Sequence, residues 1–182
     1  MSDSAQPVLS YIDQADFLAM VQTLAQTIAR GAWQPDFIVG IGRGGLVPAV
    51  YISHSLQIPM LSIDHSSKVP GFADNLLHKV AHMRVAGSRM LFVDDINDSG
   101  GTINYVRKVL GEQLTAGGLP SNDDDVRFAV LVDNASSQAR VEFTVQTIDR
   151  ATDKRWFVFP WEAVMTPDRL VEEAAAVPER LS

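Results

Sequence analysis

Hydrophobic residues recur along this chain in two alternating patterns. Over residues 13–30, apolar side chains are spaced by three and four positions, which predicts an amphipathic helix. Asp13 is the expected N-cap of that helix, and Gly31 is expected to end it. Helical patterns follow at 46–56, with Pro48 in its first turn, then at 102–114 and 168–176.

Short apolar runs lie between these helices and predict buried strands. The runs cover 36–41, 59–64, 89–95 and 126–132, with weaker strand patterns at 142–148 and 156–159. Residues 1–10 are expected to be a loose lead-in and 116–125 a surface linker. Residues 66–88 show no clear period, and 66–80 are expected to be a mobile, lid-like loop. Alternating strands and helices favour an α/β fold, a doubly wound and mainly parallel sheet flanked by helices, in one domain over 1–182.

Composition narrows the range of functions. The 182 residues include 46% hydrophobic and 20% charged residues, which is typical of a globular protein. The formal net charge of −7 argues against nucleic acid as the partner. Residues 44–63 carry no formal charge, but prolines and polar residues interrupt them, so no membrane partner is expected. The N-terminus lacks a signal-peptide core, and a cytoplasmic location is expected.

Residues 90–102 carry the strongest chemical signal. An apolar strand is followed by two acids, Asp94 and Asp95, and then by Asp98, Ser99, Gly100, Gly101 and Thr102 at the start of a helix. A glycine-rich turn at a helix N-terminus presents backbone N–H groups to an anion such as phosphate. The neighbouring carboxylates can accept hydrogen bonds from sugar hydroxyls or hold a metal through water. Together these features indicate a phosphorylated sugar, although an ordinary strand-to-helix turn with acids is the alternative.

Residues 42–45 form a second candidate loop. Gly42, Arg43 and Gly44 follow a predicted strand, and the arginine offers a fixed positive charge with several donors. A plain glycine turn with a solvated arginine is the alternative. Because ligands bind at the carboxyl ends of parallel strands, both loops are expected at the same edge of the sheet.

Residues 90–102 resemble the phosphoribosyl-pyrophosphate (PRPP) signature of the type I phosphoribosyltransferases, most closely the bacterial xanthine-guanine and hypoxanthine-guanine enzymes. Residues 40–48 resemble the pyrophosphate loop of this family, which often holds a cis peptide at the position of Gly42–Arg43. Residues 156–162 resemble its Trp-x-x-x-Pro-Trp-Asp/Glu segment. The resemblance implies the type I fold with a small hood and Mg²⁺-dependent transfer of phosphoribose from PRPP to a purine. A homo-oligomer, dimer or tetramer, is expected.

The resemblance also implies roles for individual residues. Asp98 would be the general base, and Asp94 and Asp95 would hold the ribose hydroxyls and the metal. The 5-phosphate would bind to Ser99, Gly100, Gly101 and Thr102. Pyrophosphate would bind to Gly42, Arg43, Gly44, Ser67 and Lys68. Trp156 would stack on the base and the Phe157 carbonyl would accept a hydrogen bond from it, although aromatic clusters are more often core.

Two departures from the family pattern leave alternatives open. The lysine that donates to the purine O6 in 6-oxopurine enzymes is replaced by Asp133 or Asn134, of which only Asn134 has an amide donor. The usual loop tyrosine is replaced by Lys68. A non-catalytic regulator that binds PRPP or a nucleotide is one alternative, and an enzyme that acts on another base is the other.

Overall fold

A computed structural model describes residues 7–63, 72–121 and 124–176 of the chain. This part of the protein contains seven strands and five helices, which alternate from β1 to β5 and are followed by β6, β7 and α5. The strands are β1 Leu9–Tyr11, β2 Phe37–Ile41, β3 Met60–Ile63, β4 Met90–Asn97, β5 Val126–Asn134, β6 Phe143–Ile148 and β7 Trp156–Val158. The helices are α1 Gln14–Arg30, α2 Gly42–Leu56, α3 Phe72–Val85, α4 Gly101–Ala116 and α5 Pro167–Ala175.

Five parallel strands form the main sheet, in the order β3-β2-β4-β5-β6. Side chains alternate between its two faces. Phe92 and Phe128 stack with their ring centroids 5.2 Å apart in a cluster that includes residues of α3 and α4, whereas Leu91 and Val93 pack with residues of α1 and α2 on the other face. Helices on both faces of a parallel sheet confirm the predicted doubly wound fold.

A second, two-stranded parallel sheet joins β1 to β7, with Leu9 opposite Trp156. The prediction of a loose lead-in over 1–10 was therefore wrong at Leu9 and Ser10. A strand of three residues is too short to show a period, and β1 is held by a partner that lies far away in the chain. This small sheet provides the expected hood beside the main sheet.

Helix α3 corrects a second expectation, because residues 72–80 belonged to the predicted mobile loop and are helical instead. Leu77, Val80 and Ala81 are buried against the sheet at helical spacing. Charged and polar neighbours such as His78 and Lys79 weaken the apolar pattern in the sequence. Ser67 and Lys68, with the rest of 64–71, lie outside the described residues.

Helix α2 begins at Gly42, whereas the sequence predicted a tight turn over 42–45 and a helix from Leu46. Pro48 accordingly lies inside the helix, beyond its first turn. The described residues contain no cis peptide bond, so the expected cis Gly42–Arg43 bond was also wrong. Gly42 instead starts the helix with a φ of 57°, a value that glycine adopts easily.

Candidate active site

The two predicted phosphate-binding loops meet at one edge of the sheet. Strands β2 and β4 are parallel neighbours, with Gly40 opposite Val93, so both chains leave the sheet at the same end. The N-terminus of α2 then lies directly against the end of β4, where a Cβ on Gly45 would overlap the carbonyl of Val93. The prediction that residues 42–45 and 94–102 share one edge is confirmed.

Two adjoining cavities open at this edge. One, of about 310 Å³, lies between residues 94–103 and the segment that contains Trp156, Phe157, Phe159 and Glu162. The other, of about 560 Å³, contains Gly42, Arg43 and Gly44 in its wall. Both are lined by Asp94, Asp95, Thr102 and Glu162. A larger depression of about 640 Å³ lies against α4 and β5 and holds none of the predicted site residues.

Asp94 and Asp95 lie within β4, which continues to Asn97, two residues beyond the predicted end of the strand at Asp95. The Asp94 Oδ1 accepts a hydrogen bond from the backbone N of Asp95 at 3.0 Å, and the Asp95 Oδ1 accepts one from Ile96 N at 2.8 Å. Burial, followed by the charge of Asp95, raises the pKa of Asp94 well above its ordinary value. Burial raises the pKa of Asp95 to about 6. Hydroxyl donors or a bound cation would therefore stabilise the ionised form of these two carboxylates.

Glu162 is a further acid at this edge that sequence reasoning did not assign to the site. Its Oε2 accepts a hydrogen bond from the backbone N of Phe159 at 3.0 Å. Burial raises the pKa of Glu162 to about 7, and the negative charges of Asp95 and Glu173 contribute to this shift. The positive charge of Arg43 lowers the pKa but compensates only in part. Its position at the end of the aromatic segment was a usable signal, but its closeness to Asp95 depends on the fold.

The turn between β4 and α4 has the geometry of an anion site. Gly100 has a φ of 88°, and a Cβ at this position would collide with Ser137 and Ala139. The turn therefore requires glycine. Helix α4 begins at Gly101, whose N–H donates to Ser99 Oγ at 3.3 Å. The backbone N–H groups of its first turn and the hydroxyl of Thr102 line the smaller cavity, where they can donate to a phosphate.

Asp98 has a charged partner that the sequence motifs did not contain. Arg150 Nε donates to Asp98 Oδ1 at 2.9 Å, and Asn134 Nδ2 donates to the backbone carbonyl of Asp98 at 3.0 Å. The Asn134 Oδ1 in turn accepts from Arg150 N at 3.1 Å. Asp98 follows β4, Asn134 ends β5 and Arg150 follows β6, so the network connects the ends of three strands. No local signal links Arg150 to Asp98.

Asn134 and Asp133 occupy the position of the missing lysine, and both are engaged within the protein. The Asn134 side chain is buried and bonded at its nitrogen and its oxygen. The Asp133 Oδ1 accepts a hydrogen bond from Asn97 Nδ2 at 2.7 Å. Base recognition by Asn134 stays a prediction, and it would require the amide to exchange partners.

Strand β7 brings Trp156 and Phe157 to the smaller cavity. Trp156 N donates to Val8 O and Ile12 N donates to Val158 O, so β1 bonds to alternate residues of β7. The backbone groups of Phe157 consequently face away from β1, as expected if its carbonyl is to meet a ligand. Trp161 stacks on Phe159 with ring centroids 4.9 Å apart and packs against the core, which agrees with the structural role that the sequence suggested.

The comparisons with known proteins agree with this geometry. Residues 8–166 match the phosphoribosyl transferase domain model. A xanthine-guanine phosphoribosyltransferase of Nitratidesulfovibrio vulgaris is 28% identical over 127 residues, covering 69% of this chain and 68% of the relative.

Two solved structures share the fold. A purine phosphoribosyltransferase from Pyrococcus horikoshii has a TM-score of 0.60 at 23% identity, covering 87% of this chain and 95% of its own. A hypothetical protein from Neisseria gonorrhoeae, with bound ppGpp, has a TM-score of 0.63 at 22% identity, covering 94% and 97%. Because this model matches residues 8–166, which include both loops and all seven strands, this chain belongs to the phosphoribosyl transferase domain family.

Proposed function

We propose that this protein transfers the 5-phosphoribosyl group of PRPP to a purine base, guanine, xanthine or hypoxanthine, and releases pyrophosphate in purine salvage. One observation carries the proposal. Two cavities share Asp94, Asp95, Thr102 and Glu162, so an anion-binding turn and an arginine-bearing glycine loop flank the same pair of carboxylates. A sugar with a phosphate at one end and a pyrophosphate at the other fits this order of groups.

In this arrangement PRPP lies across the carboxyl ends of β2 and β4. Its 5-phosphate binds to the N–H groups and hydroxyls of Ser99, Gly100, Gly101 and Thr102. Its ribose hydroxyls donate to Asp94 and Asp95. Its pyrophosphate lies along the start of α2, at Gly42, Arg43 and Gly44, and Ser67 and Lys68 are assigned to the same pyrophosphate.

Mg²⁺ fits the donor set that the chain offers. Burial raises the pKa values of these adjacent carboxylates, and a divalent cation would favour their ionised form. Among the described residues no cluster of three acidic, histidine or cysteine side chains could hold a metal by itself. Asp94 and Asp95 would therefore hold the ion jointly with oxygens of PRPP and water. Bound there, Mg²⁺ would neutralise charge on the departing pyrophosphate.

The reaction breaks the bond between C1 of the ribose and pyrophosphate, and forms a bond from C1 to a base nitrogen. Arg43 stabilises the negative charge that develops on the leaving group. Asp98 accepts the proton that the purine imidazole loses as its nitrogen attacks. Trp156 and Phe157 hold the base against the opposite wall of the smaller cavity and exclude water from the reacting centre. A homo-oligomer remains part of the proposal, with light scattering as its test.

A regulator that binds PRPP or a nucleotide without turnover is the second candidate. It is favoured by the end of β5, where Asp133 accepts a hydrogen bond from Asn97 and neither Asp133 nor Asn134 has the positive charge of the family lysine. An enzyme for another base remains the third candidate. No helix in the described ranges is both long and apolar enough to cross a membrane.

Incubation of the purified protein with PRPP, Mg²⁺ and guanine, xanthine, hypoxanthine, adenine, uracil or orotate tests all three candidates. Nucleotide formation with the 6-oxopurines supports the proposal. Turnover with a different base alone would support the third candidate. Tight calorimetric binding of PRPP without turnover on any base would replace the enzyme by the regulator.

A further inference from the structure

Arg150 is a buried arginine held in one position by several hydrogen bonds. Its side chain is 5% exposed, and its Nε lies 2.9 Å from Oδ1 of Asp98, whose side chain is 18% exposed. Its Nη1 donates to the carbonyls of Asp153 and Arg155 at 3.2 and 2.6 Å. The guanidinium carbon also lies 5.5 Å from the ring centroid of Phe157. A charge held this rigidly restricts the Asp98 carboxylate to one orientation.

The remaining nitrogen of Arg150 shows that this position is not optimised for stability alone. Nη2 is closed off from solvent and has no hydrogen-bond partner among the described residues. A buried donor without an acceptor destabilises a protein, and buried ion pairs are often replaceable by apolar side chains at no loss. Because Nη2 is out of contact with the cavity, Arg150 cannot act by touching a ligand there. Its effect on a ligand has to pass through Asp98.

We propose that Arg150 is a positioning residue for phosphoribosyl transfer, which orients the Asp98 carboxylate toward the base. This inference rests on the proposed function. Asp98 lines the smaller cavity together with Trp156 and Phe157, where the base would lie. PRPP, by contrast, binds to groups that Arg150 does not contact.

The test uses Arg150→Met, which removes the charge and keeps most of the volume, and Arg150→Lys, which keeps the charge. We expect the turnover number of Arg150→Met on a 6-oxopurine to fall roughly 10- to 100-fold, a part of the 10²–10⁴ that a general base contributes. The affinity for PRPP, measured by calorimetry, should change less than about threefold because the phosphate-binding groups remain in place. Arg150→Lys should recover part of the lost turnover.

Arg155→Met is the matched control. Its guanidinium lies 5.5 Å from the same Phe157 ring centroid, but its side chain is 50% exposed and it is paired with Asp153, not with Asp98. Turnover of this variant should stay within about twofold of the wild type, since the surface pair contributes little. A loss equal to that of Arg150→Met would assign the effect to packing on Phe157 and overturn the inference.

Asp98→Asn combined with Arg150→Met gives a second test that does not leave an uncompensated buried carboxylate. If Arg150 acts through Asp98, the double variant should turn over no more than about twofold more slowly than Asp98→Asn. A turnover of the double variant far below that of Asp98→Asn would overturn the inference. This comparison does not require Arg150→Met to fold. An active wild type with an unaffected Arg150→Met would defeat the inference alone. A wild type inactive on every base would defeat the proposed function and this inference with it.

Discussion

Gly44 lies so close to Asp95 that a Cβ on the glycine would overlap the carboxylate. The first turn of α2 is therefore in direct contact with β4 near the end of that strand. The neighbouring Gly45 makes an equally close approach, but to the backbone carbonyl of Val93. The two glycines therefore allow a comparison between a contact with a movable side chain and a contact with a fixed strand.

Gly44→Ala and Gly45→Ala should consequently differ in what they damage. In Gly44→Ala the Asp95 side chain can turn away, so the fold should be kept while affinity for PRPP falls roughly tenfold, about 1.4 kcal/mol. In Gly45→Ala the strand cannot yield, and the free energy of unfolding should fall by about 1–3 kcal/mol. Urea unfolding and PRPP calorimetry on both variants check this. Unchanged PRPP affinity in Gly44→Ala would contradict the placement of Asp95 at the ribose.

Asp98→Asn should separate catalysis from binding. The substitution removes the proton acceptor and preserves size, so turnover should fall by about 10²- to 10⁴-fold. PRPP affinity should persist, because backbone N–H groups and the hydroxyls of Ser99 and Thr102 form the phosphate site. Asp94→Asn combined with Asp95→Asn should instead weaken PRPP binding itself. Steady-state rates and calorimetry on the same preparations measure both effects, and full turnover in Asp98→Asn would remove it from the catalytic role.

Glu162→Gln should abolish part of the pH dependence of stability. Burial raises the Glu162 pKa from 4.5 to about 7, so between these values the folded protein binds more protons than the unfolded chain. Stability from this group is then complete below pH 4.5 and is lost as pH rises through about 7. Glutamine does not ionise and can still accept the Phe159 N–H.

At pH 8 the Glu162→Gln variant should therefore be more stable than the wild type, by an amount on the order of 3 kcal/mol. At pH 4.5 the two proteins should be nearly equal. Urea unfolding at both pH values measures the difference without ligand. A constant difference across this range would show that Glu162 ionises normally in the folded protein.

Asn134→Ala should distinguish a supporting role from base recognition. The substitution leaves the Asp98 carbonyl and the Arg150 N–H without their partner, which should lower the free energy of unfolding by about 1–3 kcal/mol. If Asn134 only supports the loop, rates should fall by the same factor for guanine, xanthine and hypoxanthine. A change in the ranking of the three bases would support the predicted contact between Asn134 and the base.

The amino-acid sequence by itself determined the order of elements and the position of the main loops. Hydrophobic period is a local property, so α1, with Asp13 accepting from Asp16 N at 2.8 Å, was predictable to its cap. The parallel arrangement of alternating elements then placed both glycine loops at one edge. Where the local pattern was weak, as in β1 and α3, the prediction failed because partners distant in the chain stabilise these elements.

Tertiary structure alone decided the electrostatics of the site. Arg150 and Asp98 are 52 positions apart in the chain and meet only because β4, β5 and β6 are neighbours in the sheet. The raised pKa values of Asp95 and Glu162 arise from burial at a junction between two segments, which no short motif encodes. Helix α2 begins at Gly42 because Gly44 and Gly45 pack on β4, and that contact exists only once the sheet has formed.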